Sequence, residues 1–159
     1  MIAAAALLLA AGQAAPAPAP ATATFDQLKQ LVGVWRNADK PDSALRIRFS
    51  LTAGGTVLVE SWERAGDPHS LTLYHRDGAA LLATHYCPQG NQPRMALVDG
   101  GGGAIHFAFR DVTDLDPGES HQHDLWLDLS DPARPVRSEV YLANGKAGPR
   151  EQLRLERVE

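Results

Sequence analysis

The sequence predicts an all-β protein, an antiparallel up-and-down β-barrel of about ten strands with a short N-terminal helix. Three observations carry that prediction. Leu45, Ile47, Phe49 and Leu51 alternate with Arg46, Arg48 and Ser50, the period-two pattern of a half-buried strand. Turn signals then recur at hairpin spacing: Gly54-Gly55, Asp77-Gly78, the run from Asp99 to Gly103, the run from Asp131 to Pro135, and Asn144-Gly145. The single Cys cannot form an internal disulfide, so the fold rests on a hydrophobic core. The part after the leader, about 140 residues, is long enough to bury one unaided.

Each element has its own signal. Residues 2 to 11 are almost entirely Ala, Leu and Ile, and Gly12-Gln13-Ala14 offers a small-residue cleavage site. Residues 1–14 therefore read as a signal peptide, which implies a periplasmic or secreted protein. The alternating Ala-Pro run opens a linker over residues 15–23, and residues 24–159 form the barrel domain. No Cys follows the leader, so a lipid anchor is not expected. Thr24 and Gln27 form a capping box for the helix; Phe25, Leu28, Leu31 and Val32 share a face, and Gly33 ends it. Strands follow at 34–36, 45–51, 56–62, 70–76, 80–87, 94–98, 104–110, 121–130, 136–142 and 150–158. Because each hairpin joins sequence neighbours, the barrel is favoured over a sandwich.

Composition excludes some functions. The net charge is −4 with no basic stripe, which argues against nucleic-acid binding. The apolar leader is too short for an integral membrane span. A protein partner is left unspecified.

Candidate chemistry comes from strand phase and from the segment 84–95, which gathers His85, Cys87, Asn91, Gln92 and Arg94. In the fourth strand His75 shares a face with Leu71 and Leu73. Along residues 121–130, His121 and His123 share the face of Leu125, Leu127 and Leu129. Alternation thus predicts that His75, His121 and His123 point inward. His85 lies in phase with Leu81 and Ala83. Converging imidazoles would bind a metal, hold an anionic ligand or move protons. The alternative is that each is a buried histidine satisfied by backbone or water. His121 and His123, two apart on a strand, pair as ligands for zinc or copper, with His85, His75 or Cys87 as a third. Cys87 reads as a buried packing thiol, since no carboxylate orients His85 as its base. Asn91, Gln92 and Arg94 are binding candidates, because amides and guanidinium recognise carbonyls and carboxylates; the alternative is a loop that caps the barrel through backbone hydrogen bonds. The acidic run Asp114 to Glu119 lacks calcium-loop spacing and reads as a solvated loop.

With the strands placed, Gly33-Val34-Trp35 after a short helix resembles the Gly-x-Trp opening of lipocalin-like (calycin) barrels. The segments His75-Arg76-Asp77-Gly78, Thr84 to Cys87, Gly90 to Met95, Asp114 to Pro117 and His121-x-His123 resemble an uncharacterised bacterial family of secreted lipocalin-like proteins. The resemblance spans nearly all of residues 24–158. It implies a barrel around a cavity and brings no assigned substrate or catalytic residue. A more distant resemblance is to nitrobindin-like haem barrels, whose opening continues Gly-x-Trp-x-Gly-x-Gly. Here Arg36-Asn37-Ala38-Asp39 breaks that continuation.

The functional expectation is a barrel that binds a small, partly apolar ligand. Trp35 would give apolar contact, and His75, His85, His121, His123 and Arg94, with Asn91 and Gln92 at the mouth, the polar end. The alternatives are a metal- or haem-binding barrel, and an enzyme with a cavity histidine as base.

Overall fold

The computed structural model describes residues 21–98 and 103–158. The expected leader, residues 15–20 of the linker and the glycine turn at 99–102 lie outside the described residues. A helix α1 (Ala21–Leu28) runs into a 3₁₀ turn (Lys29–Leu31), followed by β1 (Gly33–Asn37), β2 (Leu45–Thr52), β3 (Val57–Arg64) and β4 (Asp67–Asp77). Next come β5 (Ala80–Tyr86), β6 (Gln92–Val98), β7 (Ala104–Thr113), β8 (Ser120–Asp128) and β9 (Val136–Ala143), then β10 (Lys146–Ala147) and β11 (Glu151–Arg157). Strands β1 to β9 pair antiparallel in sequence order, β9 pairs with β11, and β11 returns to β1. Ten strands therefore close a ring, and β10 is a two-residue strand on the end of β9. Closure gives every long strand two partners and removes sheet edges. The expected antiparallel barrel is the fold.

The turns behave as their residues dictate. Asn144 and Gly145 both have positive φ (51° and 73°) between the paired Ala143 and Lys146, a two-residue turn whose twist matches the strands. One hairpin had no such signal: Ala65 and Gly66, at φ 54° and 90°, join Arg64 to Asp67. Both β3 and β4 are longer than their hydrophobic patterns indicated for this reason.

The helix also starts earlier than expected. Thr24 sits within α1 and is 3% exposed, so it packs inside the helix and does not cap it. The domain accordingly includes Ala21 to Ala23, which the sequence assigned to the linker.

Register divides the barrel into two halves. At the end where β1 begins, Phe25, Leu28 and Leu31 of the helix segment join one apolar cluster with Trp35, Phe49 and Phe107. Trp35 fixes this floor: its Nε1 donates to the Leu31 carbonyl at 2.7 Å, and the Arg157 guanidinium lies 4.3 Å from its ring centre. Arg157 also donates to the carbonyls of Val32 and Gln30, so one cation ties β11 to the turn after the helix. Trp35, expected to give a ligand apolar contact, is thus a fully buried core residue of the floor.

The opposite end is the mouth. Bulges interrupt three ladders there, at Trp62/Glu63, Arg94/Met95 and Gln122/Asp124. Bulges at a barrel rim re-aim side chains, and these three decide which residues face inward.

Candidate functional site

The interior of the mouth half is polar. On β3, Leu58, Glu60 and Trp62 share the inward phase; on β9, Arg137, Glu139 and Tyr141 do, opposite the core residues Leu127 and Leu125 of β8. Glu60 is completely buried and Arg137 is 2% exposed. The Arg137 Nε donates to Glu60 Oε1 at 2.6 Å, and its Nη1 donates to Glu139 Oε2 at 2.8 Å. Glu60 Oε1 also accepts from Trp62 Nε1 at 2.6 Å, and Glu60 Oε2 accepts from the Tyr74 hydroxyl. Gln122 adds an amide proton to Glu139 Oε2 at 2.7 Å. Trp62 lays its ring 4.9 Å from the Arg137 guanidinium. Four strands, β3, β4, β8 and β9, thus contribute to one connected network.

Its electrostatics follow from burial and pairing. Burial opposes the Arg137 charge, but Glu139 and Glu60 outweigh that and hold the guanidinium protonated more firmly than a free arginine. Burial likewise works against ionised Glu139, and Arg137 overcomes it, so this carboxyl sits below its ordinary range. Burial, reinforced by Glu60, pushes the Tyr74 hydroxyl well upward; burial and Glu139 raise that of Tyr141. Both phenols stay protonated and available as donors.

His85 stands above this network. It is 4% exposed, with Nδ1 3.0 Å from the Thr72 hydroxyl and Nε2 3.4 Å from the Tyr141 hydroxyl. Burial, and then Arg137, lower its pKa from the ordinary 6.5 to about 4, so the ring is neutral at pH 7. A cavity of ≈ 110 Å³ lies here, lined among others by Trp62, His69, His85, Arg137, Glu139 and Tyr141. A second of ≈ 240 Å³ shares Trp62, Arg137 and Glu139 and reaches Asn37, Glu151 and Gln152 at the rim. Trp62, Arg137 and Glu139 therefore separate two small compartments of one mouth.

Of the residues singled out from the sequence, His85 alone joins this site. The phase assigned to β4 is reversed: Thr72 and Tyr74 point inward, and His75 lies on the outer face with its Nδ1 at the Arg76 carbonyl. Arg94 also faces out, where it holds Asp111 at 2.5 and 2.7 Å. Asn91 is fully buried but serves the loop, donating to Glu119 and to the Ser120 carbonyl. Gln92 donates to the Gly90 carbonyl and accepts from Thr113. These last two match the loop-capping alternative. Cys87 is half-buried rather than enclosed, and its backbone closes the same tight loop through Asn91 and Gly90.

The bulge in β8 moves His121 and His123 as well. Gln122 is the residue that turns inward, opposite Tyr141, while the two histidines gather around Phe109. His123 stacks on that ring at 5.2 Å and bonds Asp124, whose other oxygen holds His106 at 2.7 Å. His85 faces the interior with Thr72 and Tyr141, so the expected zinc or copper triad of His121, His123 and His85 is not assembled. Among the described residues no three His, Cys, Asp or Glu side chains are placed to hold a metal ion. For haem, the His85 ring has both nitrogens at protein hydroxyls beneath a compartment of ≈ 110 Å³, small for a porphyrin.

His121 has its own consequence. It is 8% exposed, and neither ring nitrogen has a hydrogen-bond partner. An unpartnered buried polar group costs about 1–3 kcal/mol. His121→Phe, which keeps a ring against Phe109, is therefore expected to leave stability unchanged or raise it by about 1 kcal/mol. Urea unfolding measures this, and a loss above about 1 kcal/mol would show that the imidazole has a polar role.

The sequence missed the principal residues because their strands invert the usual pattern. Val57, Val59, Val136 and Val140 alternate with Glu60, Trp62, Arg137, Glu139 and Tyr141, and it is the second set that occupies the interior. A usable signal existed: a cation, a carboxylate and a phenol at 137, 139 and 141 share one strand face. No protein-family model matches the chain, and no curated protein matches it. Fold and site together define a closed antiparallel barrel with an apolar floor and a charged, hydrogen-bonded mouth. No helix among the described residues is long and apolar enough to cross a membrane.

Proposed function

We propose that this protein binds a small molecule in the mouth of the barrel, against Trp62, Arg137, Glu139, His85 and Tyr141. The observation that carries this reading is the buried network beside two small compartments. A buried carboxylate–guanidinium cluster contributes little net stability compared with well-packed apolar side chains. Next to a cavity, the same groups are fixed, desolvated hydrogen-bonding atoms, which is how a site orients a ligand. At ≈ 110 and ≈ 240 Å³ the compartments suit a compact ligand, with apolar contact from Trp62 rather than Trp35. The Ala/Leu-rich leader supports export to the periplasm or beyond, and the resemblance to secreted lipocalin-like barrels supports the same cargo-holding role.

Native mass spectrometry of full-length protein isolated from its own cells tests the reading. A discrete added mass is expected, retained at low collision energy and absent from the Trp62→Ala variant. A bare protein mass that no small-molecule panel shifts, together with unperturbed mouth resonances in an NMR titration, would sink it. N-terminal sequencing of the exported fraction, expected to begin at Ala15, tests the leader.

A further inference from the structure

We infer that the ligand of this mouth is a small organic cation, an amine or guanidine with a short apolar portion, and not a carboxylate or phosphate. The inference rests on the mouth being the binding site, and it adds the sign of the ligand's charge and the polarity of its hydrogen bonds.

Charge comes first. The interior holds two carboxylates, Glu60 and Glu139, against one guanidinium, Arg137. Burial keeps His85 uncharged at neutral pH, and both tyrosines are protonated. The interior therefore holds one carboxyl group more than it holds guanidinium groups. Glu151, paired in register with Glu139, adds another carboxylate where the larger compartment reaches the rim. In a partly desolvated site such an imbalance favours a cation and opposes an anion.

The hydrogen-bond inventory points the same way. Arg137 is the one cation that an anionic ligand would need. It already gives Nε to Glu60 and Nη1 to Glu139, at 2.6 and 2.8 Å, with Trp62 against its face. Acceptor atoms stand unmatched here. Gln122 is fully buried, and its Nε2 donates to Glu139, so the orientation of the amide is fixed; its Oε1 has no partner. It comes from β8 opposite Tyr141 and beside Glu139, both of which line the smaller compartment. The hydrogen bonds from Gln122 and Arg137 to Glu139 both fall on Oε2, which leaves Oε1 as the natural acceptor for a ligand N–H. Trp62 and Tyr141 add aromatic surface next to that carboxylate, the pairing that suits an alkylammonium or guanidinium group.

The test uses three probes of one shape and three charges: n-butylammonium, butyrate and n-butanol. Each is titrated into full-length protein at pH 7 and followed by NMR shifts and Trp fluorescence. Butylammonium is expected to bind at least tenfold more tightly than the other two, with shifts centred on Trp62, Glu139 and Tyr141. Glu139→Gln, which retains the acceptor and removes the charge, is expected to lower that affinity by about tenfold while far-UV circular dichroism stays unchanged. Should Glu139→Gln fail to fold, Glu151→Gln at the rim is the second probe, with a loss of several-fold expected. Butyrate or butanol binding the mouth as well as butylammonium overturns the cation assignment and leaves the binding site standing. Butylammonium binding that neither variant weakens also overturns it. Absence of any mouth shift with all three probes overturns the assignment together with the binding site beneath it.

Discussion

Replacing Arg137 with methionine is expected to destabilise the protein by about 3–5 kcal/mol, the cost of stranding a buried carboxylate without its cation. Glu60 is completely buried and 2.6 Å from the Arg137 Nε; after the change Trp62 and Tyr74 alone would donate to it. Glu139 would lose the interaction that holds its carboxyl below the ordinary range. For a domain of this size the midpoint of thermal unfolding should fall by about 10 °C or more. The control is the Glu60→Gln, Arg137→Met pair. Removing both charges leaves a neutral amide that still serves Tyr74 and Trp62, so the double variant should be more stable than Arg137→Met alone. Urea melts of the four proteins give the coupling directly. An Arg137→Met protein within about 1 kcal/mol of the wild type would mean that Glu60 takes up a proton at little cost.

Acid should destabilise the folded protein through His85 before it does so through the carboxylates. In the unfolded chain this imidazole takes a proton near 6.5, whereas in the folded barrel it does so only at about 4. Between those values the unfolded state binds more protons, so stability falls as pH falls. The loss begins near pH 6.5 and is complete below about 4. A gap of that size is worth about 3 kcal/mol, applicable here because the ring is 4% exposed. Glu139, whose folded pKa is depressed, acts lower on the scale: its contribution is present above the ordinary carboxylate value and is lost as pH drops beneath it. His121, lowered by burial and then by His123, contributes in the same direction as His85. Urea melts of wild type, His85→Gln and His121→Phe between pH 7 and 4.5 separate these terms. His85→Gln should flatten most of the slope in that window; an unchanged slope would show that His85 is protonated as readily inside the barrel as outside it.

The hairpin turns and the alternation from Leu45 to Leu51 are local signals, and local signals were enough for the fold class. A hairpin needs only its own turn residues and a two-residue period, so ten strands in sequence order imply neighbour pairing and closure. Ile47 and Phe49 are buried as their alternation predicts, and His85 lies inward with Leu81 and Ala83. Those parts of the protein were legible from the amino-acid sequence by itself.

The site was decided elsewhere. Phase along a strand is relative, and one inserted residue inverts it. The bulge between Gln122 and Asp124 turned the amide inward and sent His121 and His123 to Phe109. On β4 the apolar Leu71 and Leu73 took the outer face because Thr72 and Tyr74 were needed by His85 and Glu60 inside. Glu60 and Arg137 are 77 residues apart, and nothing near either one marks it as buried. A charge is stable in an interior only when its partner is already there, and that partner arrives from a strand which only ring closure brings across the barrel. Sequence determined the barrel; the tertiary structure alone determined which charges the mouth encloses.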